Sequence, residues 1–588
     1  MSNIAWEKIE WPKVRSRVTR YQQRIYKASL NNDKWKVRFL QKQLLSSLDA
    51  KLYAVLRVTT WNKGKNTPGV DGKVFRTNEE KISLVKSLKL DSKAEPIRRV
   101  WVSKPGKLEK RPLGIPVIKD RAKQALCLLA LEPEWEARFE PNSYGFRPGR
   151  SCHDAMEAIF LALGNKSKKV RYKYILDADL KKCFDSINHN YVLNKLDSLP
   201  EVNKQIKAWL QAGIMEGFAS DSGPNMDISP NRLGTPQGGI ISPFLANVAL
   251  HGLEEHLKEW VCSQPSPKGY ANRGNHMKKK AISIIRYADD FVVIHPSKET
   301  LLNSKEVISS WLKKTGLEFN EDKTHLRNAA EGFLFLGFRV IMVNKNGLPR
   351  YKAYPSREAQ KRLSNKLREV IQSHKSVSSF VLITKLRPII IGWANYYRYC
   401  ECKNAFSKQT HLVHQKLRAW VFRRDTRNGR KIIKQKYFPS EKTYTFDGTK
   451  HQDNWILYGE SKTKGGRLQT AWLPHMVWVK SKKWVKIKGN ASVYDGNHAY
   501  WASRSLTYGN WNKTQRDLLR RQKGFCPYCR ERITGDDRCE VDHIIPTSLG
   551  GKDSMSNKQL LHLECHIKKT RSDTKTLNKK SYFETGAG

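Results

Sequence analysis

Apolar and polar positions alternate in short blocks through the middle of the chain and recur with helical spacing toward both flanks. The clearest block is Ile284-Ile-Arg-Tyr-Ala-Asp-Asp-Phe-Val-Val-Ile294. Two short β-branched, apolar runs flank paired acids, the pattern of a β-hairpin with Asp289 and Asp290 at its turn. Tyr174-Ile-Leu-Asp-Ala-Asp-Leu-Lys-Lys-Cys-Phe-Asp185 predicts another short strand that ends in carboxylates. Between the two lies Thr235-Pro-Gln-Gly-Gly-Ile-Ile-Ser-Pro243. Its paired glycines allow close backbone approach to a ligand, and a helix-like run follows it. Residues 98–116 read as a basic strand–turn–strand. Near the front, Leu40, Leu44, Leu48, Leu52 and Leu56 recur at every fourth position and predict a helical core stripe. From about 355 the period is helical again, with Leu363, Leu367, Val370 and Ile371 on one face among Lys and Arg.

Composition adds a partner to this picture. Lys and Arg number 108 against 55 acids over 588 residues, a net charge of +53. That excess argues against an ordinary metabolic enzyme and implies a polyanionic partner such as nucleic acid. No run of about 18 apolar residues, signal-peptide pattern or lipidation motif occurs, so no membrane role is expected. The 17 Trp, 22 Tyr and 20 Phe argue for packed cores rather than a disordered polycation. Six of the ten cysteines are scattered as expected of thiols in a reducing compartment.

Two stretches concentrate the charge. Residues 416–436 carry nine Lys or Arg against one Asp. Residues 461–489 carry eight and no acid, with Trp472, Trp478 and Trp484 at even spacing. On a strand such spacing would put the three rings on one face, suited either to base stacking or to the core of a small β-rich spacer.

The remaining cysteines crowd toward the end. Cys526-x-x-Cys529 and His562-x-x-Cys565 are two paired-ligand turns about thirty residues apart, a spacing that suits one tetrahedral zinc site. Cys539 is a rival to His562 as fourth ligand, and His562 is preferred. Between the turns lie Glu540-Val-Asp-His-Ile-Ile-Pro546, Gly550-Gly551 and Asn557, with His566 directly after the last cysteine. A purely structural zinc ribbon would need none of these.

An Asp-Asp pair alone is ordinary turn chemistry. Burying two like charges, however, calls for a cation, and a divalent metal pair is the usual answer where phosphoryl groups are transferred. The ordered blocks at 98–116, 143–155 (SYGFRPGRSCHDA), 174–185, 235–243, 284–294, 316–326 (GLEFNEDKTHL) and 333–338 (FLFLGF) resemble those of reverse transcriptases encoded by group II introns. Gly392-Trp-Ala-Asn-Tyr-Tyr-Arg398 resembles the maturase (X) signature of that family, and the terminal cluster resembles its HNH endonuclease module.

The resemblance implies that Asp179 and Asp289 bridge two magnesium ions, with Asp290 adjacent and the Leu180 carbonyl completing one ion. It implies that Phe184 presses on the incoming sugar and excludes a 2′-hydroxyl, Gln237 positions the nucleotide, and Lys104 and Arg111 clamp its triphosphate. In the nuclease it implies His543 as general base, Asp542 and His566 as ligands of a magnesium or similar divalent ion, and Asn557 as the residue that orients the loop and base.

The expected fold is multidomain α+β. Right-hand polymerase fingers and palm would span 1–340, with a helical extension at 1–60. A helical thumb and maturase domain (341–440), a basic DNA-binding region (441–510) and a ββα-metal HNH zinc domain (511–588) would follow. The expected function is RNA-directed DNA polymerase, splicing maturase and HNH endonuclease, with intron RNA, target DNA and dNTPs as partners. One protein per intron ribonucleoprotein is expected. The expected location is cytoplasmic: bacterial cytosol or nucleoid, or an organelle. A stand-alone reverse transcriptase of retron or CRISPR-associated type would not need the 392–398 signature or the terminal cluster. A catalytically silent splicing factor would not need the acids and histidines.

Overall fold

The computed structural model describes residues 5–103, 109–164, 172–217, 228–231, 233–265, 274–462, 466, 468–509, 511–533 and 537–585, with side chains to residue 574. Lys104 falls outside the described residues.

The leucine stripe near the front forms helices, but not one helix. Trp11–Leu30 and Lys34–Ser46 are followed by a break at Ser47, which is extended at φ −61° and ψ 131°, and then by Leu48–Leu56. Leu40, Leu44, Leu52 and Leu56 are buried, whereas Leu48 is exposed. The break at Ser47 takes Leu48 off the apolar face that continuous spacing assigns to it. These helices pack on the long helix Ile118–Arg138, whose sides are buried nearly all round.

Strands β1 (Ile97–Ser103) and β2 (Lys110–Ile115) pair antiparallel. The central sheet is built from β3 (Tyr174–Ala178), then, past the short β4 (Ile214–Glu216) that pairs parallel with β1, from β5 (Ser283–Tyr287), β6 (Asp290–His295) and β7 (His325–Asn328). Its order is β5-β6-β3-β7, antiparallel throughout. The apolar side chains of β3, β5 and β6 divide between two cores, one shared with the N-terminal helices and one with the C-terminal half. Ahead of β5 the chain forms a short helix, Asn275–Ala281.

A second sheet of β8 (Phe333–Phe335), β9 (Phe338–Lys345) and β10 (Leu348–Pro355) follows. An edge at residue 340 would therefore cut β9. The chain changes from sheet to helix at Ser356, the N-cap of Arg357–Ser373, whose side chain accepts from the Ala359 amide. Leu363, Leu367 and Ile371 are buried along one side of that helix, with Val370 half-buried beside them. It packs against Ser379–Tyr397 and Lys403–Arg424. The basic stretch 416–436 occupies the end of the last of these and the short helix Arg430–Tyr437, with most of its cations exposed.

The hairpins β11 (Thr443–Phe446) with β12 (Thr449–Gln452), and β13 (Tyr458–Lys462) with β14 (Leu468–Trp472), come next. Here the expectation for the tryptophans is corrected. Only Trp472 lies on a strand; Trp478 ends a 3₁₀ turn, and Trp484 sits in irregular chain. Trp472 and Trp478 form a half-buried ring cluster with Phe446 and His451 beside the buried Tyr444, Leu473 and Met476. Trp484 instead packs 4.8 Å from His153 and donates to Asp154 Oδ1 at 3.0 Å. Asp154 is wholly buried; it also accepts from the Ile487 amide and from Arg504, so residues 484–504 are riveted to the 143–155 segment.

The last unit pairs β15 (Cys539–His543) with β16 (Lys558–His562), which runs directly into the helix Leu563–Thr585. Its small apolar core contains Leu518, Leu519, Leu560 and Leu561. The unit docks on the first helix of the chain: Arg15 meets Asp537 at 2.9 Å and Glu564 at 3.7 Å, and Trp61 donates to Glu564 at 2.6 Å.

Candidate active sites and metal cluster

The first site is built on the central sheet. Tyr287 pairs with Asp290, leaving Ala288 and Asp289 as a two-residue turn, with Ala288 at φ 59°. Three residues that sequence reasoning did not single out hold this turn. A Cβ on Gly145 would lie 2.3 Å from the Ala288 nitrogen, so only glycine lets the 143–155 segment back the turn. Asn247 donates to the Gly145 carbonyl and accepts from the buried Arg286 guanidinium, both at 2.9 Å. The glycine in SYGFRP was the available signal; nothing in the sequence pointed to Asn247.

Asp179 leaves β3 on the neighbouring strand, and the structure brings it to Asp289 and Asp290. Burial first, then the charges of Asp289 and Asp179 and a hydrogen bond with Asp179, push the Asp290 carboxyl up to about 7. Asp289 is raised as well, by burial and by Asp179, with Arg111 and Lys323 acting in the opposite sense. Lys323 reaches Asp179 Oδ2 at 2.6 Å, so this loop lysine belongs to the carboxylate cluster. Leu180 is bridged to Phe319 by bonds from its neighbours: Lys181 donates to Glu318, and the Asn320 amide donates to Asp179. In that antiparallel pattern the Leu180 carbonyl points away from the 318–320 strand.

Phe184 is half-buried, with its ring 6.1 Å from Phe146. The glycine-rich segment closes over it: the Thr235 amide donates to the Phe184 carbonyl, and Gly234, at φ 82°, would clash with Asp185 if it bore a Cβ. The Gln237 side chain bonds Asp185, and its carbonyl accepts from Gly114 on β2 at 2.7 Å. Arg111, exposed on β2, faces the acids closely enough to oppose the rise of Asp289. Carboxylates, an aromatic wall and a cation thus converge from three chain segments.

In the terminal unit Cys526, Cys529, His562 and Cys565 place their ligand atoms within 4.8 Å of one another. Cys539 is not part of that group. Burial holds its thiol protonated, with a pKa far above that of a free thiol. Burial disfavours a charged His562, but Asp537 and Cys526 outweigh it and lift the imidazole to about 11. Three thiols and an imidazole are the donor set zinc favours.

Asp542 and His566 approach each other at 3.7 Å, close enough to share one ion. Gln559 donates to Asp542 at 3.0 Å, and Lys569 lies 3.1 Å from it. His543 Nε2 sits 3.0 Å from Asp553, a carboxylate partner that the sequence did not single out. Asn557 bonds both the amide and the carbonyl of Ile545 at 2.9 Å and also holds the Lys552 carbonyl, so it braces the loop behind His543.

The 392–398 signature works mainly inward. Tyr396 and Tyr397 donate to the carbonyls of Leu336 and Gly337, and Arg398 donates to the Lys480 carbonyl.

Family models match in the same order along the chain. They are the N-terminal domain of reverse transcriptase (6–88), reverse transcriptase (RNA-dependent DNA polymerase) (102–340), the group II intron maturase-specific domain (360–438) and HNH endonuclease (526–572). Protein YkfC of Escherichia coli K12 is 32% identical over 317 residues, 48% of this chain and 78% of that protein. The chain belongs to the group II intron-encoded reverse transcriptase family. Group II intron-encoded protein LtrA of Lactococcus lactis is 29% identical, matching 49% of this chain and 54% of that protein, so the chain spans about half of LtrA. Maturase-like protein 1 of Euglena gracilis is 28% identical over 68% of this chain and 78% of its own length. This intron-encoded protein thus joins an RNA-directed DNA polymerase, a maturase domain and an HNH endonuclease, and those domains imply intron RNA and other nucleic acid as ligands. Polymerases and nucleases of these families use divalent metals.

Proposed function

We propose that this protein binds its intron RNA to promote splicing and then cuts a DNA target. It copies the RNA from the 3′-hydroxyl its own nuclease exposes. The observation that carries the polymerase reading is the convergence of Asp179, Asp289 and Asp290 at one end of the central strands β3 and β6, with Asp289 and Asp290 raised by burial and by the neighbouring acids. Such a cluster suits hard, oxygen-seeking magnesium. Asp179, Asp289, Asp290 and the Leu180 carbonyl would hold two ions, which when bound stabilise the attacking and leaving oxygens. Phe184 walls the sugar site and selects against a 2′-hydroxyl. Gln237 fixes the nucleotide edge, and Arg111 with Lys104 grips the triphosphate. Fingers and palm occupy the first 355 residues and a helical thumb with maturase function the next 85; the exposed cations of 416–436 serve RNA.

In the nuclease, Asp542 and His566 would hold one divalent ion. His543 takes the proton from the attacking water, with Asp553 fixing its ring and Asn557 its loop. Cys526, Cys529, His562 and Cys565 would hold a structural zinc. The reducing environment such thiols need fits a bacterial cytosol or nucleoid, or an organelle. Changing Asp289 and Asp290 together to Ala should lower templated dNTP incorporation on the order of 10³-fold or more, with intron-RNA binding and splicing retained. Surviving synthesis in that variant overturns the assignment.

A further inference from the structure

A cavity of about 2060 Å³ lies where the parts of the chain meet. Its wall runs from Phe146, whose ring meets Phe184 of the polymerase site, past the first helix and residues 484–516, to Phe525 and Arg532 of the terminal unit. Pockets for small ligands span roughly 300–1,000 Å³, so the space exceeds what one cofactor fills. Among its described lining residues eleven are Arg or Lys and five are Asp or Glu.

The acids are largely neutralised from within. Three of the five are ion-paired: Asp154 with Arg504, Asp537 with Arg15 and Asp447 with Arg516. Arg20, Arg57 and Lys513 have no ion-pair partner among the described residues, and Arg20 and Lys513 are exposed on the wall. Twelve aromatic rings line the same space, Trp501 and Tyr508 among them, both half-buried. Uncommitted cations interleaved with accessible rings are what backbone tracking and base stacking of an unpaired strand require.

We propose that this cavity is a binding site for single-stranded nucleic acid, taken without regard to sequence, that extends from Phe146 beside the polymerase site to the His562 side of the terminal unit. It rests on the two-site reading above and adds a place for an unpaired strand between the polymerase and the nuclease-bearing unit. Arg20, Arg57 and Lys513 contact phosphates, and Phe146, Trp501 and Tyr508 offer ring faces to bases.

The test uses the full-length protein. Fluorescence anisotropy compares a labelled 20-nucleotide oligothymidylate with a blunt duplex for wild type and the Arg20→Ala/Arg57→Ala/Lys513→Ala variant. The variant should bind the single strand at least about tenfold more weakly. Its salt slope should fall by about 2 units, near 0.7 for each single-strand phosphate no longer neutralised. Duplex affinity and extension of a pre-annealed primer on template should be unchanged. Photo-cross-linking of 5-iodouracil strands to wild type should map to Phe146, Trp501 or Tyr508. Equal loss for strand and duplex, an unchanged slope, or cross-links confined to residues outside the cavity overturns the proposal. If the wild type does not nick DNA, the nuclease reading fails while the binding and cross-linking results still decide the cavity. Unchanged circular dichroism and primer extension separate lost binding from lost folding.

Discussion

Replacing Arg15 with Met keeps most of the aliphatic bulk and removes the cation between two buried acids. Side-chain exposures of 11% for Arg15, 10% for Asp537 and 6% for Glu564 place all three out of bulk water. Burial works against the charge on Arg15, but Asp537 and Glu564 hold it in place and raise its pKa. Breaking a buried ion pair from one side costs about 3–5 kcal/mol, because the abandoned charge stays desolvated. At 1.36 kcal/mol per tenfold, docking of the terminal unit on the helix Trp11–Leu30 should weaken on the order of 10²- to 10⁴-fold. Hydrogen exchange by mass spectrometry should show faster exchange in residues 11–30 and 537–574, with the central sheet protected as before. Zinc content should persist, since Arg15 is not a ligand. Adding Glu564→Gln should recover part of the loss, because the carboxylate left beside the vacated position is then neutral and can still accept from Trp61. Unchanged exchange in both segments, or zinc loss from Arg15→Met alone, would refute the reasoning.

Gly145→Ala should cut dNTP incorporation by at least tenfold and leave DNA nicking intact, because the added methyl meets the backbone of Ala288; steady-state assays of the two activities check this. Cys526→Ser should release zinc and expose residues 513–574 to limited proteolysis, since so small a core leans on its metal. His543→Ala should retain zinc and fold but lose strand cleavage, checked by metal analysis beside a nicking assay. Changing the exposed Lys480, Lys482 and Lys483 to Ala should weaken target DNA binding alike at all sequences. Titrating salt should show the slope lowered by about 0.9 for each duplex phosphate that is no longer neutralised, with splicing unaffected.

What could be read from sequence were the features whose chemistry is local. Paired acids between β-branched runs can hardly be anything but a hairpin, and β5 and β6 form it. Two paired-ligand turns bring Cys526, Cys529, His562 and Cys565 together because the strand β16 hands directly to a helix. Spacing misled where backbone state changes: Ser47 breaks the leucine stripe, and irregular chain after residue 480 sends Trp484 to a different neighbourhood from Trp472. Pairings of long sequence separation left no local trace. Neither Arg15 with Asp537 nor Asn247 behind the Ala288-Asp289 turn could be inferred from neighbours in the chain.

The bonds at Asp154 set an order for biosynthesis. Oδ2 is satisfied locally by the Ser151 amide, but Oδ1 is made 330 residues before Trp484 and 350 before Arg504, which bond it. At roughly 5–20 residues per second on the ribosome, the interval is on the order of 20 to 70 s. Through that time the polymerase portion carries an acid destined for complete burial with its main cation not yet synthesised. A nascent chain stalled before residue 484 therefore keeps the 143–155 segment, and with it Gly145 behind the Ala288-Asp289 turn, short of its final packing. Chains ended before residue 484 should therefore copy RNA poorly, and primer extension by such truncations checks this.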